Sequence, residues 1–300
     1  MKKIIAFDRW CPHEESTWIF QVFKAYDEEL EKNIFSFYSA SKYVYKKLGE
    51  SGAKWNDLPT DHFAISVKKS ILFQSLKGWS DSFNAFSNWN NLNTLMGICS
   101  NFETYLESVI TLSIESDPGI LFGASKSIDG VKYLKYESCT KFNIKEIVTN
   151  CVKGDWNSRW SNIVKLFPNI PNTIEKKISD LERIRKLRNN IAHAFGRDIE
   201  SSRQHIIKQK LTIDTISERK VQQYKYLLWG IAKEIDSYLL NNHIGEYQFL
   251  CLYHSIYPEL NHEVHSSMRA VKLKKKLGND KICPTSKELC KQIVLYYENL

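Results

Sequence analysis

Six consecutive residues, Arg188-Asn-Asn-Ile-Ala-His193, bring together an imidazole, an amide and a guanidinium. Histidine titrates near neutral pH, so His193 suits proton transfer. Arg188 is a permanent cation matched to phosphate oxygens. Asn189 can orient either the phosphate or the imidazole, and it lies four residues from His193, on a shared helical face. Such a set suits work on a phosphodiester.

An amphipathic helix must carry these groups. Ile174, Ile178, Leu181, Ile184, Leu187, Ile191 and Phe195 recur at gaps of three and four, and Gly196 is a stop signal. The stripe centres near Leu181, Ile184, Ile191 and Phe195, with Arg188 in or beside it. An unpaired cation there costs several kcal/mol, so Arg188 needs a carboxylate, a phosphate or a wet pocket. The plainer alternative is a helix end with a surface histidine and a salt-bridged arginine.

Arg188-Asn-Asn-Ile-Ala-His193 resembles the Arg-(four to six residues)-His signature of the HEPN ribonucleases, and the flanking residues look like the prokaryotic toxin and defence members. The resemblance covers residues 90–240, about half of the chain. It implies an all-α, HEPN-like helical bundle with additional N-terminal and C-terminal helical segments. It also implies a metal-independent endoribonuclease: His193 as general base or acid on the 2′-hydroxyl or leaving oxygen, Arg188 offsetting charge on the transition state, and Asn189 orienting. The expected products are a 2′,3′-cyclic phosphate and a 5′-hydroxyl. In the family two such helices face each other across a two-fold axis, so a homodimer is expected. No cofactor and no metal are expected. RNA is the implied substrate, an antitoxin or other regulatory protein is a further expected partner, and the role is that of a toxin or anti-phage defence (abortive infection) effector. Some family toxins carry a tyrosine two residues after the histidine, where it is modified; here Phe195 offers no hydroxyl. The alternative is a non-catalytic HEPN-like module that binds a nucleotide or a protein.

The remaining elements follow from periodicity. Residues 1–12 are expected as a short strand or extended arm, and Glu14–Leu48 as a long helix. Gly49–Pro59 is a connector. A helix over His62–Trp89, with Gly78 a weak point or break, precedes another over Asn90–Ile114. On the latter, Glu103 is expected to face the Arg188 helix and hold the guanidinium, the alternative being an ordinary boundary carboxylate; Phe102-Glu103 with Tyr105-Leu106 looks like the earlier long helix of the family. Asp117–Asp129 is a loop, Val131–Tyr136 a small strand or insertion, and residues 142–151, 156–167 and 218–240 are helices. The segment 201–215 is loop. Three divisions are expected: an N-terminal helical segment 1–89, a HEPN-like bundle 90–240 and a basic C-terminal helical appendage 241–300. Lys272, Lys274, Lys275 and Lys276 of the appendage, with Arg185 and Arg197, are the candidate RNA-contacting cations. A tethering protein that binds nucleic acid through 269–276 without cutting is a third reading.

Composition is consistent with these expectations. Net charge of +8 and a pI near 8.9 favour a polyanionic partner. Aromatic residues make up 13% of the chain, which suits large helix-packing side chains or base stacking. Seven cysteines without a Cys-x-x-Cys pair argue against a disulfide framework or zinc ribbon. Cys251/His254 and His262/His265 are spaced as metal ligands but match no known finger. Neither a signal peptide nor an apolar run of about 18 residues is present, so a cytoplasmic protein without membrane contact is expected.

Overall fold

A computed structural model describes residues 7–65, 72–136, 143–194, 214–261, 263–279 and 285–300. Among them are ten α-helices and no strand, so the fold is all-α. The helices are α1 (Trp18–Glu50), α2 (Leu76–Ser116), α3 (Gly130–Tyr136), α4 (Lys145–Val152), α5 (Trp156–Leu166), α6 (Ile178–Ala194), α7 (Glu218–Leu239), α8 (Tyr247–Ile256), α9 (Ser266–Asn279) and α10 (Lys287–Glu298). No helix of the described residues is long and apolar enough to cross a membrane.

Helix starts are fixed by caps. α1 begins at Trp18 rather than Glu14 because the Thr17 hydroxyl accepts from Phe20 N at 3.0 Å. Asp155 caps α5 and Ser286 caps α10 in the same way. The region expected as two helices, 62–89 and 90–114, contains one of 41 residues starting at Leu76. Gly78 falls in its first turn, where its N–H donates to Ser75 Oγ at 3.3 Å, so it breaks nothing. The asparagine run of 88–93 does not interrupt it either, because the amides of Asn88, Asn91 and Asn93 are engaged: Asn88 Nδ2 donates to Asp214 O, Asn91 Nδ2 to Ile216 O and Asn93 Nδ2 to Trp89 O. Residues 130–136 form a helix, not a strand. A Cβ on Gly130 would come within 1.8 Å of Glu115 O, so this entry tolerates only glycine. The loop 117–129 holds a 3₁₀ turn, Pro118–Phe122. Residues 7–17 form no strand; residues 1–6 and most of the expected loop 201–215 lie outside the described residues.

The chain divides into two compact units. Unit 1 comprises Met1–Phe23, Glu103–Ser179 and Gly230–Leu300; unit 2 comprises Lys24–Phe102 and Asp180–Trp229.

In unit 2, α1 and α2 run antiparallel, since later residues of α1 meet earlier residues of α2. Tyr38 Oη donates to Asn91 Oδ1 at 2.5 Å. Phe37 packs on Phe83 and Phe86, and Tyr45 on Trp79 and Phe83. Leu92, Leu95, Ile98, Leu181, Ile184, Val221 and Leu228 are among the buried apolar residues. Lys225 on α7 is also buried, with its ammonium 2.6 Å from Glu31 and 3.2 Å from Asp27. Burial alone would lower its pKa; the hydrogen bond to Glu31 and the charge of Asp27 outweigh that and raise it.

Unit 1 is built on buried polar ties. Arg9, 1% exposed, donates to Ser116 Oγ (2.8 Å), Ser116 O (2.7 Å) and Ile244 O (3.1 Å), and pairs with Asp129 at 2.8 Å. Its guanidinium lies over Trp10. Gly245 (φ +53°) lets the chain approach so closely that a Cβ would meet Arg9 O at 2.1 Å. The Asp236 carboxylate on α7 accepts from Thr17 N (2.9 Å), Thr17 Oγ1 (2.6 Å) and Tyr105 Oη (3.3 Å). In the C-terminal part α9 packs on α10, and α8 on α3 and α10. Lys135 of α3 donates to Tyr297 O at 2.8 Å.

Burial holds the Asp236 carboxyl above its ordinary pKa despite the three hydrogen bonds it accepts. Its ionised form therefore costs stability at neutral pH, and that cost fades as pH falls toward the folded-state pKa. Asp236→Asn removes the charge and keeps one acceptor oxygen for Thr17, with an NH2 donor in place of the other. In urea unfolding it should lie within about 1 kcal/mol of wild type, whereas Asp236→Ala should cost about 2–3 kcal/mol. The Asn variant should compare best with wild type above the folded-state pKa of Asp236 and lose ground as the pH falls through it.

Candidate functional site

The Arg188–His193 segment lies within α6, inside unit 2. Leu181, Ile184 and Ile191 are buried, as the apolar stripe requires, and Leu187 is half-buried. Arg188 and Asn189 are half-buried beside that stripe. Arg188 Nη1 donates to Asn189 Oδ1 at 3.0 Å, so two of the three groups meet. His193 has helical backbone, but its side chain lies outside the described residues, as do Phe195 and Arg197. Arg185 makes a bidentate pair with Glu182, at 2.9 Å from Nε and 2.6 Å from Nη2. This three-residue spacing places both on one face of α6.

A set of amides braces this helix within unit 2. Asn190 Nδ2 donates to the Asp214 carboxylate at 3.3 Å. Asn88 on α2 holds the same segment from the other side: its Nδ2 donates to Asp214 O at 3.0 Å, and its Oδ1 accepts from Ile216 N at 2.9 Å. Asn91 Nδ2 adds a bond to Ile216 O at 2.9 Å. The entry to α7 is thereby tied to both α2 and α6. Asn88, Asn190 and Asp214 were not singled out by motif or period. The clustering of asparagines over 88–93 was the available signal, since an amide on a helix needs a partner off the helix or back onto it.

Glu103, expected as the Arg188 partner, belongs to unit 1, where its carboxylate accepts from Arg159 at 3.3 and 3.4 Å. Arg159 is buried on α5, donates also to Gly154 O at 3.0 Å, and lies over the Trp156 ring. Lys272, Lys274, Lys275 and Lys276 are exposed on α9 of unit 1, opposite buried Ala270, Leu273 and Leu277. They form the solvated face of an amphipathic helix.

The described residues contain no group of three or more His, Cys, Asp or Glu able to hold a metal. His254 Nδ1 is 2.5 Å from the Tyr297 hydroxyl, and burial pushes the Cys251 thiol up to about 12. His262 lies outside the described residues.

No known protein family, curated protein or solved structure matches the chain.

The bracing by Asn88 generates a stability prediction. Asn88→Ala removes a donor and an acceptor from the 214–216 segment, with an expected cost of about 1–2 kcal/mol in thermal unfolding. Amide exchange at Ile216 should accelerate selectively, because its N–H loses its acceptor.

Proposed function

We propose that the protein is a metal-independent endoribonuclease of HEPN type, acting as a toxin or anti-phage defence effector. The observation that carries this reading is the coexistence of Arg188, Asn189 and His193 on one helix, with Arg188 half-buried beside the apolar stripe and bonded to Asn189. A permanent cation and an imidazole carried by one helix are the groups that work on a phosphodiester needs.

RNA carries its own nucleophile. In the proposed reaction the 2′-oxygen loses its proton to an imidazole and bonds to phosphorus. The P–O5′ bond breaks, and the departing 5′-oxygen takes a proton from an imidazolium. The products are a 2′,3′-cyclic phosphate and a 5′-hydroxyl. Arg188 offsets the charge gathering on the non-bridging oxygens. One His193 cannot begin a turnover as base and serve simultaneously as a pre-protonated acid, so the scheme is completed by a second copy across a dimer axis.

A non-catalytic binding module is the second reading. In it the Arg188–Asn189 hydrogen bond holds the two side chains together as structure or as a ligand-binding pair. Expression separates the two: a nuclease slows growth and His193→Ala relieves it, whereas a binding module does neither.

Three measurements test the chemistry. His193→Ala should abolish cleavage, with a loss of at least about 100-fold. A 2′-deoxy substitution at the cut site should do the same, and EDTA should leave the rate unchanged. Cleavage that requires Mg²⁺ and tolerates the deoxy site would falsify the scheme. In light scattering the wild-type chain should behave as a dimer at micromolar concentration; a stable monomer that still cuts RNA would reject the paired-histidine arrangement.

A further inference from the structure

Unit 1 contains a small cleft where the arm before α1 meets the segment that enters α8. It measures about 220 Å³ up to its open mouth, and Glu14, Ser16, Trp18, Gly245, Glu246 and Phe249 are among its lining residues. Glu246 is 1% exposed. Its Oε1 accepts from His13 N at 2.6 Å and lies 2.7 Å from His13 Nδ1. Its Oε2 is also buried and has no hydrogen-bond partner among the described residues. Glu246 directly precedes α8 but makes no side-chain cap bond to it, so the first N–H groups of that helix do not answer the carboxylate. A buried carboxylate oxygen left in this way is costly unless whatever enters the cleft supplies a donor.

The surroundings specify that donor. Burial, and to a lesser degree the charge of Glu14, raise the Glu246 carboxyl above its ordinary pKa, against the His13 hydrogen bonds. Two carboxylates on one cleft call for a cation. Trp18, fixed by its N–H to Gln248 Oε1 at 3.1 Å, meets Phe249 edge to face at 5.1 Å and 72°. These rings offer a cation–π surface and an apolar track for methylenes. The described residues hold no group of three or more metal-ligating side chains, which sets the cleft against a divalent ion. Its volume is below the roughly 300–1,000 Å³ of sites for drug-sized ligands, so a compact head on a narrow stem fits and a nucleotide does not. An ammonium is such a head, with three donors and no acceptor. The chain as a whole carries +8, so its overall field repels small cations and any retention must be local.

We propose that this cleft binds a primary ammonium on an unbranched alkyl chain, with the nitrogen at Glu246 and the methylenes along Trp18. A polyamine and a lysine side chain both carry that group. Nothing in this site depends on the ribonuclease reading, which concerns unit 2.

The test is equilibrium dialysis of the full-length chain against radiolabelled 1,4-diaminobutane in about 0.15 M NaCl, where surface attraction is screened. One saturable site per chain is expected, displaced by unlabelled butylamine and not by 1-butanol. Glu246→Gln keeps an acceptor for His13 N and removes the charge, and it should weaken binding at least about tenfold. Glu14→Gln, at a half-exposed position that leaves the fold unaffected, should weaken it about threefold and serves if the Glu246 variant fails to fold by circular dichroism. Nα-acetyl-lysine methylamide separates the two sources: displacement equal to that by unlabelled diamine assigns the cleft to lysine side chains, and markedly weaker displacement assigns it to polyamines. Absence of saturable binding up to about 10 mM overturns the site. Retention that survives both glutamate substitutions, or that 1-butanol displaces as well as butylamine does, also overturns it.

Discussion

A guanidinium excluded from water must be met by acceptors, and unit 1 depends on how Arg9 is met. The last carbonyls of a helix lack intrahelical partners and carry the negative end of its dipole. Arg9 reaches the carbonyl of Ser116, the final residue of α2, and that of Ile244, in the π turn that follows α7. Asp129 adds a full negative charge. Burial lowers the pKa of Arg9, and Asp129 is the principal influence opposing it. One side chain thereby answers the unsatisfied ends of two helical segments, and Ser116 Oγ completes the knot by donating to His243 O at 2.7 Å.

The same economy recurs in the other polar interiors. Asp236 gathers the start of α1 and the middle of α2 onto α7. Lys225 bridges α7 to two carboxylates on successive turns of α1. Arg159 combines Glu103, a loop carbonyl and an indole face. Apolar packing alone lets two helices slide by a turn at modest cost. A buried ion with directional partners does not, because a slip leaves it unpaired. Large aromatic side chains fill the space between such ties, which accounts for much of the aromatic excess.

The helices were legible where one face is apolar and the other wet. α6 is the best example: Leu181, Ile184 and Ile191 recur at helical spacing, and all are buried. That periodicity also put Arg188 beside the stripe. The 41-residue α2 was harder, because its asparagine run imitates a break; the residues that hold Asn88 and Asn91 in place, Asp214 and Ile216, are more than 120 positions away. The small helix α3 was missed because its start depends on the approach of Gly130 to Glu115 O, a tertiary fact. Arg9, Arg159 and Lys225 look like surface residues in the sequence, since cations usually are. Their burial depends on carboxylates and carbonyls that no local pattern links to them. The division into interleaved units has the same origin.

The wide separation of the Arg9 contacts constrains how the molecule comes into being. Its acceptors stand 107 and 235 residues downstream. A growing polypeptide emerging from the ribosome cannot complete this knot until Ile244 has been made, so Arg9 lacks its full set of acceptors while the middle of the chain is synthesised. Closure over such a span carries a large loop entropy and falls late in assembly.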